Sequence, residues 1–177
     1  MLLKYQFPAV KGYQAGKEYY ICMVPLGLLS KIFISDNGDV APEYRAQRKL
    51  NESRIPEIRD YILNNRDSYV FSALAASIDG DVNFIPTHDG AQVGVLEVDM
   101  DASFLINDGQ HRKAAIDAAI TEDESLKSET ISVVMYKDQG LKRSQQMFTD
   151  LNKHAVTTSK SLNTLYESKE RVAIITK

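Results

Sequence analysis

The residues with the clearest potential for chemistry lie in one short stretch, residues 108–112, with the sequence DGQHR. Four of its five side chains can donate or accept hydrogen bonds. An apolar run, Phe104–Ile106, precedes the stretch, and an alanine-rich run follows it. This pattern predicts a strand that turns sharply into a helix, because Gly109 lets the backbone turn and approach a ligand closely. We interpret Asn107 or Asp108 as the residue that caps the helix.

A helix that begins at such a turn can bind an anion. The N–H groups of its first turn lack intrahelical acceptors, and the helix dipole adds positive potential. Arg112 would add a full positive charge, and helical spacing places it on the face of Ala115, Ile116 and Ala119, away from Lys113 and Asp117. The anion-binding residues predicted here are Asp108, Gly109, Gln110, His111 and Arg112. In the alternative interpretation the stretch is an ordinary capped helix in which His111 plays a supporting role.

The elements that must position this turn follow from hydrophobic periodicity. Strands are predicted at Glu18–Pro25, Tyr69–Ile78, Val93–Val98, Phe104–Ile106 and Ile131–Tyr136, with Tyr69–Ile78 covered on both sides. Helices are predicted at Pro42–Asn51, Ile55–Leu63, Gly109–Ile120 and Leu141–Asn152, with a turn or short helix at Leu26–Phe33 and a turn at Asp36–Asp39. This order predicts one α/β (α+β) domain with a mixed sheet and flanking helices.

Composition excludes several classes of protein. The chain has 177 residues, 44% hydrophobic and 25% charged, which is typical of a globular domain. One cysteine, Cys22, cannot form an internal disulfide or supply a structural zinc site, and three histidines without metal-like spacing predict no metal site. No apolar run approaches the ~18 residues that cross a bilayer, so we expect a cytoplasmic protein without a membrane partner.

Charge is distributed unevenly although the net charge is only −3. Asp79–Asp101 contains six acidic residues and no Lys or Arg, whereas Lys137–Lys160 contains five basic and two acidic residues. Basic residues at helical spacing in 45–49 share one face. The residues predicted to contact DNA phosphates are Arg45, Arg48, Lys49, Lys142, Arg143 and Lys153. Ordinary solvated surfaces are the alternative explanation.

The DGQHR stretch and its surroundings resemble the DndB family of the bacterial DNA phosphorothioation, or DNA sulfur modification, system. The resemblance is carried by residues 108–112 together with FPAVKG at 7–12, RAQR at 45–48, RIPEI at 54–58 and SQQMFTDLN at 144–152, and it spans about residues 7–169. It implies a negative transcriptional regulator that binds double-stranded promoter DNA of the modification genes. It also implies a chain that is one DGQHR-type domain, residues 1–177, at the N-terminal end of a longer protein. A further alternative is a scaffold whose partners are other DNA sulfur modification proteins.

More distantly, the strand-DGQHR-helix unit is similar to the ParB and sulfiredoxin superfamily, in which a Gly-x-x-Arg turn holds nucleotide phosphates. That similarity implies a ParB/sulfiredoxin-like core and a nucleotide as the possible cofactor. A second motif of those relatives corresponds partly to FTDLN at 148–152, and it implies that Asn152, Ser159 and Lys160 belong to the same anion site. The chain lacks the glycine expected after Asn152. The alternative function is therefore a nucleotide-binding or nucleotide-hydrolysing domain that acts with DNA, a nucleoside triphosphatase if it is an enzyme.

Overall fold

The computed structural model describes residues 3–33 and 52–137, together with the helical residues 146, 149 and 150. Seven strands are present in this part of the chain: β1 Lys4–Gln14, β2 Lys17–Pro25, β3 Leu74–Asp79, β4 Val82–Pro86, β5 Val93–Asp99, β6 Ser103–Asp108 and β7 Thr130–Lys137. The helices are α1 Leu26–Ile32, α2 Arg54–Asn64 and α3 Gln110–Glu122, and a 3₁₀ helix spans Glu124–Ser128. The predicted α+β class with a mixed sheet is confirmed.

All seven strands belong to one sheet in the order β4-β5-β1-β2-β7-β3-β6. Every neighbouring pair is antiparallel except β3 and β7, which are parallel. The connection from β6 to β7 contains α3, which packs against α1 and α2. The turn at residues 108–112 therefore lies at the end of the edge strand β6, where the chain leaves the sheet.

Two short connections force this sheet to curl. Gly80 and Asp81 join β3 to β4, and residues 100–102 join β5 to β6, although β4 and β6 occupy opposite edges. The Asp99 N–H donates to the carbonyl of Asp81 at 3.3 Å. A Cβ on Gly80 would lie 2.5 Å from that of Ala102, so the two connections are in contact. The two edge regions of the sheet therefore approach each other.

Aromatic rings fill the inside of the curl. The Phe104 ring in β6 lies 6.0 Å from Tyr5 and 6.5 Å from Phe7, both in β1, and 5.9 Å from Phe33 after α1. Strand β1 is four positions away from β6 in the sheet, so only a curled sheet allows these contacts. Edge-to-face packing of this kind is favourable because the ring edge is positive and the ring face is negative.

Alternation of buried and exposed residues identifies the core face of the sheet. In β2, β5 and β7 every second residue is buried, including Cys22, Leu96 and Val133, each with no exposed surface. Cys22 therefore packs in the core as a small apolar residue. In β3 all residues from Leu74 to Ile78 are buried, which confirms that this strand is covered on both sides.

Several predicted elements need correction. Strands β1 and β4 were not predicted, because Pro8 and Gly12 interrupt the apolar pattern of β1 and β4 is only five residues long. The strand predicted from Tyr69 begins only at Leu74, since the carbonyls of the preceding residues turn toward Arg112. The helix predicted at 42–51 and the turn at 36–39 lie outside the described residues, as does most of the helix at 141–152.

No helix in the described ranges is both long and apolar enough to cross a membrane.

Candidate functional site

Gly109 forms the turn between β6 and α3. Its φ of +100° lies in the left-handed region that disfavours residues with a Cβ, and it is the N-cap residue of α3. A Cβ at this position would lie 2.3 Å from Cδ2 of Leu74 and 3.1 Å from Nη2 of Arg112. The turn therefore requires glycine for both backbone conformation and space. The prediction that Asn107 or Asp108 caps the helix is wrong, because β6 continues through Asp108 and the cap falls on the glycine.

Arg112 is held on several sides by oxygen atoms. Its Nη1 donates to the carbonyls of Ser72 at 2.7 Å and Ala73 at 3.0 Å, and also to the Ser72 hydroxyl. Its Nη2 lies 2.6 Å from Oδ2 of Asp108. Only 18% of the side chain is exposed. The guanidinium thus ties the first turn of α3 to the end of β6 and to the segment before β3.

Behind this turn, α3 presents a buried face of small and branched residues. Ala115, Ile116 and Ala119 have no exposed surface, as the helical spacing predicts. Lys113, which the sequence places on the polar side, is instead buried, and its Nζ lies 2.8 Å from Oδ2 of Asp117. Buried ammonium groups require such a partner because losing hydration is costly.

The segment before β3, which contacts Arg112, is also bound to Asp123 and Glu129, two residues that precede β7. The Arg66 Nη1 lies 2.7 Å from Oε1 of Glu129, and its Nε lies 2.9 Å from Oδ2 of Asp123. The Tyr69 hydroxyl donates to the second oxygen of Glu129. Burial, followed by this hydrogen bond, raises the pKa of Tyr69 to about 12. We call this group, Arg66, Tyr69, Asp123 and Glu129, the anchor cluster.

Sequence reasoning missed the anchor cluster and the role of Ser72 and Ala73. Tyr69 and Glu129 are 60 residues apart, so spacing along the chain gives no signal for their contact. The two carbonyls that hold Arg112 are backbone atoms, which any residue type could supply. A buried hydrogen bond of 2.7 Å between Nδ2 of Asn107 and Oγ of Ser77 adds a further tie between β6 and β3.

Four of the six acidic residues of 79–101, Asp79, Asp81, Asp99 and Asp101, lie within or next to the two short connections. Asp89 lies in the loop between β4 and β5, and Glu97 lies within β5, where Lys4 forms ion pairs with Glu97 and Asp99. Strand β6 separates the two short connections from the DGQHR turn by roughly 17 Å, given about 3.3 Å per residue. In the described part of the chain, no group of three or more His, Cys, Asp or Glu is placed to hold a metal ion.

The structure brings together part of the predicted site. The described members are Asp108, Gly109, Gln110, His111 and Arg112, which form one turn, whereas Asn152, Ser159 and Lys160 lie outside the described residues. The same is true of the predicted DNA contacts Arg45, Arg48, Lys49, Lys142, Arg143 and Lys153. His88 is exposed, and its Nδ1 contacts the carbonyl of Asp89 at 3.1 Å.

The fold and the site define an α+β protein with a curled mixed sheet. Helix α3 follows the edge strand β6 and begins at Gly109, and the Arg112 side chain in its first turn is bound by oxygen atoms of the protein. The chain belongs to the DndB family, described as DNA-sulfur modification-associated, whose family model matches residues 7–177. A search of curated proteins and a search of solved structures each gave no significant match.

Proposed function

We propose that this protein is a DNA-binding negative regulator of the genes for DNA sulfur modification, and that it binds their promoter as double-stranded DNA. Membership of the DndB family supports the link to DNA sulfur modification. The observation that carries the DNA-binding part is the uneven distribution of charge along the sequence.

Residues 52–137 contain 16 Asp and Glu but only 7 Lys and Arg. Residues 138–177 contain 7 Lys and Arg and 4 Asp and Glu, and residues 45–49 contain three basic and no acidic residues. The acidic stretch repels polyanions, so the basic stretches are the better candidates for DNA contact. This favours Arg45, Arg48, Lys49, Lys142, Arg143 and Lys153 as the phosphate contacts.

The DGQHR turn contributes to this function as a structural element. Both terminal nitrogens of Arg112 donate to oxygens of the protein itself, and one partner is the carboxylate of Asp108. A carboxylate beside the guanidinium competes with a phosphate for the same charge. We therefore propose the basic segments as the DNA contacts, and we assign Arg112 to linking the first turn of α3 to the end of β6 and to the segment before β3.

Salt dependence tests the proposal. Replacing Arg45, Arg48 and Lys49 together by alanine should weaken binding to every duplex tested, because phosphate contacts are independent of sequence. Each lost contact should reduce the slope of log K against log salt concentration by about 0.9. The measurement is a fluorescence anisotropy titration of promoter and unrelated duplexes at several salt concentrations.

A charge-matched control separates contact from net charge. Lys31, Arg54 and Lys127 are exposed and lie outside the predicted DNA contacts, and replacing all three by alanine removes the same charge. This control should keep the wild-type slope. An equal slope for wild type and the Arg45, Arg48, Lys49 variant would remove that segment from the interface, and failure of the wild-type protein to bind any duplex would overturn the proposal.

A further inference from the structure

The loop between β4 and β5 contains an exposed Asp-Gly pair, Asp89 and Gly90, which follows His88. The φ of Gly90 is +77°, and no atom lies within 4 Å of the position that a Cβ on this residue would occupy. Among the residues that the structure describes, none forms an ion pair or a hydrogen bond with the Asp89 carboxyl group. That side chain can therefore rotate toward the Gly90 nitrogen, which no side chain on Gly90 shields.

An open Asp-Gly pair can rearrange without an enzyme. The Gly90 nitrogen attacks Cγ of Asp89, the N–H proton is lost, and the carboxyl hydroxyl leaves as water, so that a cyclic imide forms. Water then adds to this imide. When it breaks the bond between the nitrogen and the carbonyl carbon of Asp89, the chain continues through Cγ and the residue has become isoaspartate. Water is released once and taken up once, so the atoms balance and no other reactant is needed.

The His88 side chain contacts the peptide bond that reacts. Its Nδ1 lies 3.1 Å from the carbonyl oxygen of Asp89, which belongs to the same peptide bond as the Gly90 nitrogen. A carbonyl oxygen only accepts hydrogen bonds, so Nδ1 carries the hydrogen in this contact. The nitrogen attacks after it loses its proton, and the negative charge then spreads onto that oxygen. A hydrogen bond to the oxygen stabilises the charge where it develops.

We propose that Asp89 is a site of spontaneous isoaspartate formation and that the His88 side chain promotes the reaction. The product keeps a carboxylate, so the net charge of the protein does not change. The reaction involves neither DNA nor the DGQHR turn, and its test is therefore independent of the proposed function.

The two other Asp-Gly pairs of the chain, at 79–80 and 108–109, are more confined. Oδ2 of Asp108 is held 2.6 Å from Nη2 of Arg112, which fixes the carboxyl group. A Cβ on Gly80 would lie only 2.5 Å from that of Ala102, so the peptide bond after Asp79 has little room to reorganise. These pairs have the same sequence as the reactive one and serve as controls within one molecule.

Incubation of the full chain for several weeks at near-neutral pH tests the proposal. Digestion with an endoproteinase that cuts before aspartate but not before isoaspartate, followed by mass spectrometry, measures the isoaspartate fraction at each site separately. Isoaspartate should form at Asp89 at least about tenfold faster than at Asp108, because a charge-assisted hydrogen bond that fixes a carboxylate is worth at least this factor. A rate at Asp89 no higher than the rates at Asp79 and Asp108 would overturn the proposal.

Two variants distinguish promotion by His88 from a change in the loop. His88→Ala should slow the reaction at Asp89 about fivefold, the effect of one hydrogen bond to the reacting group. Thr87→Val is the matched control, because the Thr87 hydroxyl donates at 3.1 Å to the carbonyl of Val93, which belongs to a different peptide bond. Loosening of the loop alone would speed the reaction in both variants, so Thr87→Val should be no slower than the wild type. A rate in His88→Ala equal to or above that of the wild type would overturn the role given to His88.

Discussion

At the scale of single residues, Arg112 illustrates how the same sequence feature supports two roles. A basic residue in the first turn of a helix can bind an anion, and it can equally bind oxygens of its own protein. The structure shows the second arrangement, with Ser72, Ala73 and Asp108 around the guanidinium. The planar fork matters here because it reaches two separate groups of oxygens at once.

Arg112→Lys should therefore destabilise the protein in the absence of any ligand. Lysine keeps the charge but cannot bridge the carbonyls and the carboxylate, so we expect a loss of about 2 kcal/mol in the free energy of unfolding. For a chain of this length that corresponds to a decrease of roughly 4–8 °C in the melting temperature. Thermal melts measure it, with the exposed Arg54→Lys as the control that should change little.

The same melts decide whether the residue also binds an anion. If phosphate or a nucleotide raises the melting temperature of the wild type and not of Arg112→Lys, the predicted anion site exists. An Arg112→Lys variant as stable as the wild type would contradict the structural role given to Arg112.

Gly109 provides a second test at this scale. Gly109→Ala should cost about 3 kcal/mol or more, because a positive φ is combined with a Cβ placed 2.3 Å from Leu74. Gly90→Ala is the matched control, since its φ is +77° and no atom lies within 4 Å of the added Cβ. That variant should cost only about 1 kcal/mol of backbone strain. Equal losses in urea unfolding would show that the space around Gly109 is not limiting.

At the scale of elements, the anchor cluster explains why residues 65–73 leave the sheet pattern. Arg66 and Tyr69 bind Glu129 just before β7, while Ser72 and Ala73 bind Arg112 on α3. The segment is thus fixed at both ends by side chains from other elements. Its apolar composition alone predicts a continuous strand, since the deciding partners are distant in sequence.

Tyr69 makes the stability of this segment dependent on alkaline pH. Burial and the hydrogen bond to Glu129 raise its pKa from 10.0 to about 12 in the folded state. The stabilisation is fully present below the unfolded-state pKa, near 10, and is lost as the pH rises through about 12. Tyr69→Phe should remove this part of the decrease in unfolding free energy between pH 10 and 12.

Urea unfolding at pH 8, 10, 11 and 12 measures the effect. Tyr13→Phe, at an exposed tyrosine on β1, is the control and should follow the wild-type curve. If Tyr69→Phe and the wild type lose stability in parallel over this range, the Tyr69 hydroxyl does not contribute to the alkaline transition.

Most of the strands and helices could be predicted from the sequence. Strands β2, β5 and β7 have alternating or β-branched residues, and α2 and α3 have helical periodicity, so local pattern and tertiary structure agree. Strand β1 was not predicted, because its proline argues against a central strand. In the structure the pairing with β2 begins at Ala9, directly after Pro8, which has no N–H to donate. Lys113 was misplaced because only its tertiary neighbours show that it is buried.

At the scale of the whole molecule, curling of the sheet places the acidic residues, the DGQHR turn and the exposed apolar residues in different regions. Asp79, Asp81, Asp99 and Asp101 lie where the two short connections meet, and the DGQHR turn lies at the other end of β6. The exposed residues Val10, Ile21 and Val93 remain on the outside of the sheet, while the aromatic rings of β1 and β6 meet inside. None of these arrangements follows from periodicity, because each depends on strands that are distant in sequence but adjacent in space.

The position of the β1–β2 hairpin has a consequence for synthesis of the chain. Both of its neighbours in the sheet are made later: β5 ends at residue 99 and β7 at residue 137. At a translation rate of about 5–20 residues per second, both edges of the hairpin stay unpaired for several seconds, until β5 and β7 have been synthesised. Unpaired edges are templates for pairing with other chains. Nascent chains therefore pass through a stage in which the hairpin can pair with other chains before its own partner strands have been made.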